Sequence, residues 1–213
     1  MHESSYLHMQ RLAADHLSKR PPGRVFDIGA MDVNGSYRPI FEALGWRYTG
    51  CDIAPGPNVS TVLKSPYVFP WKSGKADLIV SGQAFEHVEF FWLTMLEIAR
   101  VVRPGGLVFL IAPSRGPEHR YPVDCWRFYP DGYRSLAAWS GLSLVEVSTD
   151  WEPAPQADSA PWGDTVGVFS KPLRSDGPRL RSWLRHRLPR LLAANGATAG
   201  SDAVSNAGAG TAG

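Results

Sequence analysis

Four groups of residues have the types and spacing to do chemistry. Asp27-Ile28-Gly29-Ala30 places an acid at the end of a short apolar run and a glycine directly after it, where the backbone must turn sharply and approach a ligand closely. Asp52 ends the next apolar run, 25 residues later. An acid there can accept two hydrogen bonds from adjacent ribose hydroxyls, which suits any adenosine-containing cofactor. Glu86-His87 offers a base that titrates near neutrality with a carboxyl beside it, although the same pair also reads as a helix N-terminal cap. The stretch from Ser114 to Phe128 mixes aromatic, charged and hydrogen-bonding groups, with His119, Tyr121, Asp124 and Trp126 as candidates for holding a sugar-like acceptor. Its bland alternative is a proline-pinned lid in which Trp126 and Phe128 only pack.

These groups need a scaffold, and the apolar pattern supplies one. Helical spacing of Tyr6, Met9, Leu12, Ala13 and Leu17 ends at Pro21-Pro22-Gly23. Strands are expected over Arg24–Ile28, Arg47–Asp52, Val59–Leu63, Ala76–Ser81, Leu107–Ala112, Leu142–Thr149 and Thr165–Phe169. Helices are expected over Gly35–Leu44, Glu89–Val102 and Asp131–Trp139, the second ended by the turn Arg103-Pro104-Gly105-Gly106. Apolar strands alternating with amphipathic helices imply right-handed crossovers and a parallel α/β sheet covered on both faces, with ligands beyond the carboxyl ends of its strands.

Composition narrows the function classes. The 213 residues are 44% hydrophobic, enough for one core, so residues 1–170 are read as one domain that includes the N-terminal helix. Net charge is +2, but residues 171–213 hold seven basic and two acidic residues, which leaves the first 170 mildly acidic and a poor surface for nucleic acid. Residues 171–213 read as an arginine-rich helix followed by a disordered Gly/Ala/Ser/Asn tail. Pro189 interrupts that helix, so docking on its own domain or on a homodimer mate is expected rather than membrane contact. Cys51 and Cys125 lack zinc or disulfide spacing, and the N-terminus lacks an apolar leader, so a cytoplasmic, soluble protein is expected.

The turn after Gly29 separates the adenosine cofactors. A dinucleotide needs G-x-G-x-x-G to hold its pyrophosphate, whereas Met31 and Val33 stand where further glycines would be. S-adenosylmethionine (SAM) has no phosphate to cradle. The ordered set Asp27-Ile28-Gly29, Cys51-Asp52-Ile53, Ala76–Val80, Glu86-His87-Val88 and Arg103–Gly106 resembles the class I SAM-dependent methyltransferases. The resemblance implies a Rossmann-like, doubly wound sheet of seven strands, mostly parallel with an antiparallel last strand. It also implies Gly29 and Ala30 beside the methionine moiety, Asp52 on the ribose, Ile53 against adenine, and Gln83 and Ala84 near the sulfonium.

Two departures from that family stand out. Lys64-Ser65-Pro66 replaces the acid that often meets the adenine amino group, so Ser65 or backbone must substitute, and Asp32 is expected to supply polarity in the glycine-poor turn. Because SAM carries an electrophilic methyl group, the protein must mainly align a nucleophile and remove its proton. His87 is the expected base, Glu86 its orienting partner, and His119 a second base or acceptor ligand. Glu86-His87-Val88 also resembles quinone O-methyltransferases, whose metal site has a further acid near the position of Gln83; bound Mg2+ is therefore disfavoured and no metal ligand is assigned.

The aromatic loop, with Ser81-Gly82-Gln83 and Phe128–Gly132, is similar to small bacterial glycan O-methyltransferases, including the mannoside 1-O-methyltransferases of mycobacterial methylmannose polysaccharide synthesis. That resemblance implies methyl transfer to a hydroxyl of a saccharide. Its rivals are a small-molecule amine, quinone or lipid acceptor, a nucleotide-binding oxidoreductase, and a non-catalytic SAM-fold binding module.

Overall fold

In the computed structural model, which describes residues 2–153 and 159–173, the apolar runs become one seven-stranded sheet. In chain order the elements are α1 (Glu3–Leu17), β1 (Arg24–Ile28), α2 (Arg38–Ala43), β2 (Arg47–Asp52), β3 (Thr61–Val62), β4 (Ala76–Gly82), a 3-10 turn (Phe85–His87), α3 (Phe91–Val101), β5 (Val102–Arg115), α4 (Pro130–Ser140), β6 (Ser143–Thr149) and β7 (Gly163–Ser170). The strand order is β3-β2-β1-β4-β5-β7-β6. Pairings from β3 to β5 are parallel, and β7 runs antiparallel to both β5 and β6. This is the Rossmann-like, mostly parallel seven-stranded sheet expected from the sequence.

A period of two sorts the strands' side chains between two cores. Val25, Leu78, Val80, Leu107, Phe109 and Ile111 pack with Met9, Leu12 and Leu17 of α1 and with Ile40 and Phe41 of α2. Phe26, Ile79, Val108, Leu110 and Ala112 face the other way, onto Met95 and Ile98 of α3 and Tyr133 and Leu136 of α4. Both faces of the sheet are therefore covered, as parallel strands require.

Element ends differ from expectation for local reasons. α2 starts at Arg38 rather than Gly35, with Pro39 in its first turn, where a fixed φ and a missing N–H cost nothing. β3 shrinks to two residues between Asn58, whose φ is 68°, and the proline at Pro66. The expected turn Arg103–Gly106 lies inside β5, whose ladder begins with Val102 opposite Ala76 and shifts register before Leu78; Gly105, at φ 75°, exchanges backbone bonds with Lys171 through Gly106. The expected basic helix and tail lie, from residue 174 onward, outside the described residues.

Two polar assemblies fasten the layers. Along α1, His2 meets Asp164 at 3.1 Å, His8 meets Asp150 at 2.7 Å and His16 meets Glu146 at 3.1 Å, so three imidazoles tie this helix to the β6–β7 hairpin. On the other face, Arg100 grips buried Glu97 with two bonds of 2.7 and 2.6 Å and also donates to the carbonyls of Trp71 and Phe69. Glu97 accepts in turn from the Phe69 amide. Replacing Glu97→Ala strands a buried guanidinium, and urea denaturation should show a loss of about 3–5 kcal/mol; a loss below about 1 kcal/mol would show that the pair is dispensable.

Candidate active site

At the carboxyl ends of β1, β2 and β4 a cavity of about 1320 Å³ opens, roomy enough for a cofactor and an acceptor together. Its walls include Asp27, Gly29, Ala30, Asp52, Ile53, Gln83, Ala84, His87, His119 and Tyr121, so most of the residues singled out in the sequence meet there. Glu86, Ser65, Asp124 and Trp126 lie off the wall.

Gly29 explains how the backbone comes close. Its φ is 80°, its N–H donates to the Cys51 carbonyl at 2.9 Å, and a Cβ there would collide with that of Ala84. Beside it, Asp27 accepts a 2.5 Å bond from the Tyr48 hydroxyl through Oδ2, whereas Oδ1 is buried without a partner. Burial pushes the Asp27 carboxyl up to about 7, and the nearby Asp52 carboxylate adds to the rise. Asp52 itself accepts from the Met31 amide at 3.0 Å, which leaves acceptor capacity facing the cavity. An orphaned buried acid, a second acid on the rim and a glycine cradle fit a cationic, ribose-bearing ligand. Asp32, expected to serve that turn's polarity, instead accepts from the Gly35 amide at 2.7 Å and closes the turn on itself. Ser65 does likewise with the Tyr67 amide, and Leu63 and Pro66 line the cavity nearby.

Gln83 directly follows β4 at φ 58°, an uncommon conformation for a residue with a side chain. Its amide nitrogen donates to Asp164 at 2.8 Å and to Ser5 at 3.2 Å. Asp164 is fully buried, and although burial opposes ionisation, bonds from His2 and Gln83 hold its carboxyl below the usual range. The hub brings His2, Glu3 and Tyr6 to the cavity wall, and Tyr37 joins it through a 2.6 Å bond with Ser5. Trp162 completes this side, stacked on His2 with 5.8 Å between centroids and edge-on to His119 at 4.7 Å. None of these was singled out in the sequence, because each reaches the site through a contact distant along the chain.

The 3-10 turn presents His87. Its Nδ1 lies 2.6 Å from the Val123 carbonyl, which only accepts, so Nδ1 carries the proton and Nε2 offers a lone pair. Burial, reinforced by His119, pushes its pKa down, so the ring is neutral at pH 7. Glu86 sits behind it, fully buried, with Oε1 3.6 Å from His87 Nε2 and its carboxyl pushed up to about 8 by desolvation. The lid loop is fixed mainly by Asp124, which accepts two bonds from Arg127 and one from the His119 amide. Hydrogen bonds from Arg127 hold its carboxyl well below the usual range. Asp124 thus shapes the loop rather than facing an acceptor. Trp126 donates to the Val88 and Glu89 carbonyls and packs on Phe91 and Trp92, the packing alternative read from the sequence.

The raised Asp27 pKa fixes the sign of one pH effect. Its folded value, about 7, exceeds the ordinary 3.8, so the stability it contributes is fully present below pH 4 and is lost as pH rises through 7. Thermal unfolding of the ligand-free protein should therefore show a midpoint that falls between about pH 4 and 7, more shallowly in Asp27→Asn. An equal slope in both proteins would remove Asp27 as a cause.

Residues 26–110 match the family model for a methyltransferase domain. An uncharacterized methyltransferase of Mycolicibacterium gilvum is 26% identical over 193 residues, covering 76% of this chain and 71% of that protein. The chain spans 66% to 71% of the length of its mycobacterial and Mycolicibacterium relatives. The 2-methyl-6-phytyl-1,4-hydroquinone methyltransferase of Synechocystis is 24% identical over 144 residues, covering 62% of this chain and 45% of that protein. Among solved structures, the 1,6-didemethyltoxoflavin-N1-methyltransferase of Burkholderia thailandensis, with S-adenosylhomocysteine bound, superposes with a TM-score of 0.63 at 16% identity, over 80% of this chain and 79% of that one. Among the described residues no helix is long and apolar enough to cross a membrane. Residues 26–110 are thus similar to a methyltransferase domain, the curated relatives are methyltransferases, and the solved structure shares the fold.

Proposed function

We propose that the chain transfers a methyl group from SAM to a hydroxyl of a saccharide acceptor, with His87 as the base. The observation that carries this reading is the neutral His87 ring, oriented by the Val123 carbonyl on the same cavity wall as Asp27, Gly29 and Asp52. When bound, SAM supplies a methyl group on a positively charged sulfur. Asp52 accepts from its ribose hydroxyls, Gly29 and Ala30 let the backbone close on its methionine part, and the unpartnered Asp27 oxygen faces its positive charge. Ile53, half exposed, covers the adenine, and Gln83 and Ala84 border the sulfur.

An alcohol keeps its proton at neutral pH, so it becomes a nucleophile only where a base stands ready. His87 Nε2 accepts that proton; the Val123 carbonyl on Nδ1 fixes the ring's direction, and Glu86 stands beside Nε2. His119, Tyr121 and Trp162 give the acceptor side three rings next to a polar Arg120, a mixture that suits the alternating apolar and hydroxylated faces of a sugar. A quinol acceptor is the second reading, favoured by the activity named for the Synechocystis relative.

Labelled-methyl transfer assayed against saccharides, quinols and amines tests the acceptor; turnover of a quinol or amine with none of any saccharide overturns the glycan reading. His87→Ala should lower turnover about 10²–10⁴-fold while SAM affinity stays unchanged. Calorimetry should show Asp52→Ala binding SAM at least about tenfold more weakly, the loss of one or two hydrogen bonds to a charged group. Unaltered affinity would dismiss its ribose role.

A further inference from the structure

Next to the acceptor side of the cavity, three side chains able to ligate a metal converge. Glu86 is fully buried and neither of its carboxylate oxygens has a hydrogen-bond partner. His87 commits its proton to the Val123 carbonyl through Nδ1, which leaves Nε2, 3.6 Å from Glu86 Oε1, with its lone pair free. His119 arrives from the lid loop, its ring 4.7 Å from that of His87 at an interplanar angle of 80°, and its Nδ1 is buried without a hydrogen bond. One ligand-capable atom from each of the three residues lies within 4.8 Å of the other two.

A buried carboxyl with both oxygens unpaired beside an imidazole nitrogen lacks the donors that would stabilise its ionised form, a lack that a cation would fill. We propose that Glu86, His87 and His119 bind a divalent transition-metal ion of the zinc class, with a fourth coordination position open toward the cavity. Two imidazoles and one carboxylate form a donor set for zinc-like ions rather than magnesium, which prefers an all-oxygen shell. Three protein ligands with one open position are the arrangement of zinc sites that meet small molecules. The supports that such ligands need are also present. The Val123 carbonyl fixes the tautomer of His87, and Asp124, held by Arg127, stands 3.4 Å from His119 Nδ1. Ligand atoms on tetrahedral zinc are about 3.3 Å apart, so the three, now within 4.8 Å of one another, would draw together to share one ion.

This site goes beyond the methyl-transfer reading and does not depend on it. The two meet at one atom, because His87 Nε2 either holds a metal or accepts a proton. Protein freed of metal by a chelator and titrated with Co2+ should take up one equivalent, with visible absorption bands that Zn2+ abolishes. His119→Ala and Glu86→Gln, each shown folded by circular dichroism, should bind Co2+ at least about tenfold more weakly. Absence of saturable uptake by the parent protein overturns the proposal. So does full affinity in both variants, which would move the ion to another cluster such as His8, Asp150 and Asp164. Activity separates the two readings: suppression of methyl transfer by Zn2+ agrees with a metal on the base, whereas stimulation removes the base role from His87 and leaves the metal site standing.

Discussion

The site rests on the register of β1 between β2 and β4. Asp27 lies opposite Gly50 on one side and Val80 on the other, so three parallel strands end at nearly one level and release their chains into the same space. That shared edge is where Gly29, Asp52 and Gln83 come together. A slip of one residue in β1 would move Asp27 from one face of the sheet to the other and exchange Val25 with Phe26 between two differently shaped cores. Packing on both faces therefore specifies the site as firmly as it specifies the fold.

The chemistry is set by what the cavity withholds. Asp27, Glu86 and Asp164 are all acids removed from water, yet they are treated differently: Asp164 receives donors from three directions, Asp27 receives one, and Glu86 receives none from a side chain. Their protonation follows that gradient, from held ionised to pushed neutral. The well-satisfied acid acts as architecture and supports the strained Gln83. Of the poorly satisfied ones, Asp27 lines the cavity and Glu86 lies just outside its wall, next to His87.

The fold was legible in the sequence because its strands are short apolar runs punctuated by glycine and proline, as at Pro21-Pro22-Gly23 and Gly45. Gly29 and Asp52 were legible for a related reason: each follows a strand, and strand ends are where this architecture places ligands. Trp126 and Asp124 show the limit. Composition marked their loop as polar and aromatic, but which side chains turn toward the cavity depends on Arg127 and on the Val88 and Glu89 carbonyls, partners that no periodicity reveals. Asn58 and Trp162, which line the cavity, and Tyr48 and Asp164, which act through Asp27 and Gln83, were missed likewise, since their contacts are distant along the chain.

The three imidazoles of α1 give the helix more than a place to rest. Through Asp164 the first of them shares an acceptor with Gln83, the residue that borders the cavity at the end of β4. The beginning of the chain and the centre of the sheet are thus two ends of one short relay, His2 to Asp164 to Gln83. His2, Glu3 and Tyr6 form part of the cavity's wall, and an alteration at any of them is, in spatial terms, an alteration beside the residue proposed to border the cofactor's sulfur.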